Sequence, residues 1–248
     1  MDAERETGGP SGAYRERASR LHGAVLWTSG RRPVGGAVLP DGCMDVIWGA
    51  GRLLVAGPDT RPHMAEGGPG TRFTGLRFAP GQGPAVFGVP ARDLRDRRVP
   101  PADLWPEARV RELTGRLAAT GAPGRLLEEI AAARVREASD RLPPGRAGRS
   151  ARSAAITRAL AQGRSVAETA DGVQLGVRQL HRYCLDAFGY GPKTLARVLR
   201  LVRALELARA GVPYAEVAAR AGYADQAHLA REVRSLAGVP LGSLPGPG

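Results

Sequence analysis

Two kinds of hydrophobic pattern follow one another along this chain. Over residues 22–79 apolar residues come in short runs between turn signals, the pattern of half-buried strands. Candidate strands are 22–29, 34–39, 43–48, Arg52–Ala56 and 71–78, punctuated by Pro40-Asp41-Gly42 and Gly57-Pro58-Asp59. That spacing suits a small antiparallel sheet or barrel. Residues 80–105 look irregular with a short helix, and 107–138 look like two helices broken near residues 121–124. In the second of these, Leu126, Leu127, Ile130, Ala131 and Val135 recur near helical spacing, giving a face that covers the sheet or dimerises.

Beyond residue 150 the period changes and no strand pattern remains. Ile156, Ala159 and Leu160 mark one helix. Ser165 is placed to cap the next, which begins at Val166 with Glu168 in its first turn. Val177, Leu180, Tyr183 and Cys184 mark a third. Pro192 opens a long fourth, where proline's missing N–H costs nothing, and Gly211 ends it after residue 210. Two more helices, over 213–221 and 225–237, complete the set. Between the two regimes, DRLPPGRAGRS at 140–150 has the composition of a linker.

The helical half contains a repeat. Ala167, Glu168 and Ala170 recur as Ala215, Glu216 and Ala218; Leu180, Arg182 and Gly189 recur as Leu229, Arg231 and Gly238. The offset grows by one residue between the two sets, where a turn can absorb it. Each copy is a short helix, a tight turn and a longer helix, the layout that sends its second helix into a DNA major groove. Small Ala170 and Ala218 allow close helix approach. Leu180 and Leu229 anchor the second helices, and Arg182 and Arg231 lie off the buried face, within reach of phosphates or guanine edges. The connecting helix, 192–210, would be about 28 Å long at ~1.5 Å per residue. That separation suits successive major-groove segments on one face of a duplex, so one monomer would read two adjacent sites.

Charge agrees with this reading. The net charge is +12, distributed unevenly. Residues 1–144 carry 21 basic and 17 acidic side chains, whereas 145–248 carry 15 and 7. The shorter segment thus holds most of the excess, as a polyanion-binding end would. The competing account is codon bias: of 36 basic residues only Lys193 is lysine, a usage typical of a GC-rich genome. No apolar run approaches membrane-span length, and the N-terminus has no apolar signal core, so a cytoplasmic protein is expected, nucleoid-associated when bound.

From LGVRQLHRYCLDAFGYGPKTLARVLRL to GYADQAHLAREVRSLAG, over about 165–240, the chain resembles the AraC/XylS transcription regulators. The most specific elements are Gly189 to Pro192, the Arg200-Leu201…Ala204 stretch, and the counterpart of the family's Gly-Phe-x-x-x-Ser-His-Phe-x-Arg signature. Departures are Ala227 and Leu229 beside His228, Cys184 and Val233 at aromatic core positions, Gly176 where a capping hydroxyl is usual, and a Gly238-Val239-Pro240-Leu241 ending. The resemblance implies double-stranded DNA as partner, with Arg178, Gln179, Arg182, Gln226, His228 and Arg231 as contacts, and Lys193, Arg197 and Arg200 as phosphate contacts. A capping Asp225 followed by solvated polar residues is the simpler account of 226–228, and a solvated helix face that of the last three. It also implies RNA polymerase as partner should the protein activate. LPDGCMDVIW, VAGPD, TGLRFAPG and FGVPARDLRDRRVP resemble a domain preceding this module in many actinobacterial regulators, which by analogy senses a small-molecule effector or forms a homodimer.

Other chemistry in the N-terminal half is weaker. Cys43 as an alkyl-acceptor thiol would need activating neighbours and a zinc-binding cysteine cluster; Cys184 is the only other cysteine. Asp41, Asp45 and His63 could be drawn as metal ligands, but turn capping is simpler. Trp27, Trp48 and Phe78 could line a ligand pocket, or be core. The expectation is an α+β two-domain chain: a flexible 1–12, a β-rich sensing or dimerisation domain with C-terminal helices at 13–139, a linker at 140–150, an all-α double helix-turn-helix joined by a long helix at 151–242, and a tail at 243–248. It is a regulator needing no cofactor or metal, and not an enzyme.

Overall fold

A computed structural model describes residues 14–29, 37–64, 71–140 and 148–243. Segment 1–12, expected to be flexible, residues 34–36 of one expected strand, most of the expected linker and residues 244–248 lie outside the described residues.

Period-two alternation builds the N-terminal sheet. Its strands are β1 (Arg15–Ala18), β2 (Val25–Ser29), β4 (Met44–Gly49), β5 (Arg52–Ala56), β7 (Phe73–Phe78) and β8 (Arg98–Val99). They run antiparallel in the order β1-β2-β7-β4-β5-β8, and β3 (Ala37–Val38) pairs with β6 (His63–Met64) separately. One face carries Leu26, Met44, Val46, Leu53, Val55, Leu76 and Phe78, all buried. Helices α1 (Gly83–Phe87), α2 (Glu107–Ala119) and α3 (Pro123–Asp140) follow, and α1 and α3 contribute Phe87, Leu127 and Ile130 to that core. The apolar face of α3 therefore covers the sheet. A partial exception to its apolar character is Glu128, buried yet held by both guanidinium nitrogens of Arg17 at 2.9 and 3.1 Å, so its carboxyl is pulled below the ordinary range against the burial that opposes this.

Register corrects one expectation. Trp48 pairs with Thr74 and packs on the core face with Phe78, whereas Trp27 pairs with Gly75 on the opposite face. Because neighbours along a strand point oppositely, the three rings share no cavity. Trp27 instead belongs to a polar cluster: its Nε1 donates to Asp45 Oδ1 at 2.6 Å, and Tyr14 stacks on its ring. Arg77 joins the cluster, with Nε 3.3 Å from Asp41 and 3.5 Å from Asp45. Burial outweighs Arg77 at Asp45, so its pKa is pushed up to about 6.

The C-terminal half is all helix: α4 (Arg149–Ala161), α5 (Val166–Gly172), α6 (Val177–Phe188), α7 (Pro192–Arg209), α8 (Tyr214–Ala221) and α9 (Gln226–Ala237). Two cores form. One joins α4, α5, α6 and the first half of α7 through Ile156, Leu160, Ala170, Leu180, Cys184, Phe188, Leu195 and Val198. The other joins the second half of α7 to α8 and α9 through Leu201, Ala204, Leu205, Val217, Ala218, Leu229, Val233 and Leu236. A single helix thus serves both units, its buried residues passing from one core to the other along its length. The expected α+β two-domain architecture is the one observed.

Candidate nucleic-acid interface

Local chemistry sets each helix start. Ser165 and Glu168 form a reciprocal cap: Ser165 Oγ accepts from the Glu168 amide at 3.2 Å, and the Ser165 amide donates to Glu168 Oε2 at 2.8 Å. That hydrogen bonding holds the Glu168 carboxyl below the ordinary range. Asp225 caps α9 by accepting from the His228 amide at 2.6 Å. Helix α6 has only half a cap: the Gly176 amide donates to Gln179 Oε1 at 2.8 Å, with no hydroxyl to answer it. Both long helices end on a left-handed glycine, Gly189 at φ 84° and Gly238 at φ 69°, a conformation glycine adopts without steric cost.

Helix α6 buries Leu180, Cys184 and Phe188, and α9 buries Leu229, Val233 and Leu236. The opposite faces carry the predicted arginines. Arg178 and Arg182 on α6 and Arg231 on α9 are exposed and pair with no carboxylate among the described residues. Arg234, three residues after Arg231 and equally exposed, shares that face. Its helical spacing from Arg231 was the available signal, outside the motif that drew attention to its neighbours. Gln226 is exposed at the first turn of α9.

Other predicted contacts are engaged within the protein. His228 accepts the Ala224 amide at Nδ1, 3.3 Å away, and sets its ring edge-on to Tyr223, so it braces the turn between α8 and α9. Gln179 is partly spent on its own helix start. Arg197 forms a bidentate pair with Glu232, at 2.9 and 3.1 Å, and reaches Ser235 at 3.2 Å. Arg200 donates to the Gly222 carbonyl at 3.1 Å while its guanidinium lies 5.0 Å from the centre of the Tyr223 ring. These two arginines clasp the second unit to α7 and are not presented as phosphate ligands. The reason is positional: α7 lies between the units, so its partly exposed side chains meet protein before solvent. Glu232 is held below the ordinary carboxylate range by Arg197, and burial pushes Tyr223 up to about 12. Lys193, at the start of α7, is exposed.

The remaining N-terminal candidates have internal roles. Asp41 caps its own turn by accepting the Cys43 amide at 2.8 Å. Burial, then Asp41, pushes the Cys43 thiol well above its ordinary range, the reverse of an activated nucleophile. Among the described residues no group of His, Cys, Asp and Glu is arranged to hold a metal ion. No helix among them is long and apolar enough to cross a membrane.

Comparison with known proteins agrees with this division. Residues 169–244 match the family model described as a helix-turn-helix domain. Residues 24–100 match one described as Domain of unknown function (DUF6597). No curated protein matches the chain. Among solved structures, the chain is similar to unsaturated-fatty-acid-bound ToxT from Vibrio cholerae strain SCE256, at 11% identity and a TM-score of 0.48 over 90% of this chain and 95% of that one. It is likewise similar to ToxT from Vibrio cholerae O395, at 7% identity and a TM-score of 0.46 over 88% and 95%. The domain matches and the paired helical units, rather than these distant likenesses, carry the assignment: the chain carries a C-terminal helix-turn-helix domain, the DNA-binding module of transcription regulators, behind an N-terminal domain of unknown function.

Proposed function

We propose that the protein binds specific DNA sequences by laying α6 and α9 into two adjacent major-groove segments, one monomer covering both. The observation that carries this is an exposed arginine face on each of the two repeated units, paired with no carboxylate among the described residues: Arg178 and Arg182 on one, Arg231 and Arg234 on the other, with Arg182 and Arg231 at matching positions of the repeat. Unpaired guanidinium groups suit both guanine edges and phosphates. Gln226 and Lys193 stand beside them as the remaining polar contacts. Gln179 joins if its capping bond is exchanged for a base.

A selection from random duplexes, followed by gel shifts on the recovered site, tests the reading. Affinity should fall steeply with salt, because each arginine displaces condensed counterions. Arg182→Ala and Arg231→Ala should each weaken binding to the selected site. Equal binding by wild type and both variants would refute the assignment.

The N-terminal domain is read as the regulatory part, responding to a small-molecule effector or joining two monomers, with RNA polymerase engaged if the protein activates. A cleft of about 530 Å³ between α2 and α3, lined by Trp105, Leu113, Ile130, Arg109 and Arg134, lies in the size range of small-molecule sites and supports the effector reading. The protein is read as cytoplasmic and as a regulator rather than an enzyme. The neutral thiol of Cys43 speaks against an alkyl-acceptor role. Mass spectrometry after incubation with methylated duplex would reverse this if it found a stoichiometric methyl adduct on Cys43.

A further inference from the structure

Both recognition helices end against the same loop of the N-terminal domain. A Cβ placed on Gly189, which closes α6, would lie 2.6 Å from Pro58 Cγ and 3.2 Å from the Ala91 carbonyl oxygen. A Cβ on Gly238, which closes α9, would lie 3.1 Å from Pro62 Cγ. The two glycines occupy equivalent positions in the repeat, so loop 57–62 meets both units at corresponding points. Four residues of chain reach at most about 14 Å even when fully extended. The C-terminal ends of α6 and α9 are therefore tied together at short range, independently of α7.

The loop is stiff. Arg98 holds the nearly buried Asp59 through two bonds, at 2.9 and 2.5 Å. The Thr60 amide donates to Asp96 Oδ1 at 2.7 Å, and Thr60 Oγ1 donates to the same carboxylate at 2.8 Å. The Gly57 amide donates to Arg97, and the Asp96 amide to Pro58, each at 3.0 Å. Proline at both contact points fixes φ and removes backbone freedom. The surrounding interface is close as well. A Cβ on Gly81 would lie 2.6 Å from the Ser153 side chain and 2.9 Å from Phe188. Arg92 forms an ion pair with Asp186 of α6. Leu39, beside β3, packs on the core of the second unit.

We infer that loop 57–62 is a rigid strap that fixes the separation of the two recognition helices and thereby sets the spacing between the two DNA segments that the protein accepts. The inference rests on the DNA-binding reading above, but its structural half can be measured without DNA. Helix α7 packs into both cores and joins the units along one line, so bending or twisting of that single helix is the freedom left between them. The strap adds a second attachment at the far ends of the helices, which removes that freedom. Spacing specificity then resides in a domain that touches no base.

The test uses full-length protein in three forms: wild type, Pro58→Gly with Pro62→Gly, and Thr60→Val. Nitroxide labels replace exposed Asp171 and Glu216, one in each unit, through D171C and E216C. Pulsed electron resonance should give one narrow distance distribution in wild type and broader ones in both loop variants, broadest in the double variant. Gel shifts on selected sites whose two halves are moved apart or together by one or two base pairs should cost wild type about tenfold or more. The double-glycine variant should lose only about threefold or less, with affinity at the best spacing nearly retained. Melting curves establish that each variant folds; if the double variant does not, Thr60→Val decides. Unchanged distance distributions and an unchanged spacing profile would overturn the strap. Wild type binding no duplex would overturn the DNA reading and the spacing claim with it, while the label distances would still judge the strap.

Discussion

The two helix-turn-helix units share a fold and a set of anchor residues, yet they are held in place by different means. The first is pinned from outside. Its helix α6 meets the N-terminal domain through Asp186, Phe188 and Gly189, and Tyr183 ties it to α4 by a 2.8 Å contact with Ser153 Oγ and another of 2.8 Å to the Arg149 carbonyl. The second meets that domain only where Gly238 faces Pro62 and Leu39 packs on its core, and is clasped from within by Arg197 to Glu232 and by Arg200 over Tyr223, both reaching from α7. Repetition in sequence thus specifies the unit and not its mooring. Arg197 and Arg200 on the common helix serve the second unit, so they are not available as equivalent ligands for both.

That contrast can be broken most forcefully at the anchors. Leu180→Ala and Leu229→Ala each empty a fully buried site and should each cost about 2–5 kcal/mol. The comparison lies in where the damage spreads. Loss of Leu229 should loosen α8 and α9 with little effect beyond Leu39 and Pro62, whereas loss of Leu180 should expose the wider face through which α6 meets the N-terminal domain; hydrogen exchange read region by region distinguishes the two. Identical exchange patterns would erase the difference in mooring.

The next effect is on DNA. Arg182→Ala and Arg231→Ala should each lose about 1–3 kcal/mol on the selected site, with discrimination relaxed in the half facing the altered helix. By contrast, Arg197→Ala should lower melting temperature rather than base discrimination, because its guanidinium is engaged with Glu232. A large change in discrimination with stability unchanged would return Arg197 to the DNA surface.

Acid should divide the units too. The Glu232 carboxyl is depressed in the folded protein by Arg197. Its stabilising contribution is therefore present above the ordinary carboxylate pKa and disappears as pH falls through the depressed one. The first unit lacks this pair, so α9 should loosen before α6 on acidification, and Glu232→Gln should lessen the pH dependence. Proton-dependent NMR shifts of the two helices would show it.

The smallest contrast is at the helix starts. Asp225→Ala should cost about 1 kcal/mol, while Gly176→Ser should gain a few tenths, roughly, by completing the half-formed cap with Gln179. Gly176 has φ −69° and ψ 155°, so serine fits there without strain.

Much of this was legible before any coordinates. The offset between Leu180 and Leu229 located both units, Ser165 and Pro192 marked helix starts that the structure retains, and the turn signals around Asp41 and Asp59 separated real strands. Short strands were harder. β1, β6 and β8 lack an apolar alternation long enough to register, and they exist because longer neighbours offer them an edge or a turn. The candidate contacts divided similarly. Arg178, Arg182 and Arg231 kept their expected exposure. His228, Arg197 and Arg200 did not, since exposure on an isolated helix says nothing of the helix packed beside it.

Sequence by itself determined the periods, caps and anchors, and with them the presence of a double helix-turn-helix behind a β-rich domain. These are local properties, written within a few residues of where they act. Tertiary structure alone decided which arginines remain free, that Trp27 and Phe78 face opposite sides of the sheet, and that one proline-bearing loop meets Gly189 and Gly238 together. Those outcomes depend on partners that lie from 22 residues away in sequence, for Arg200 and Gly222, to more than a hundred, for Gly189 and Pro58, and no local pattern encodes which partner folding will supply.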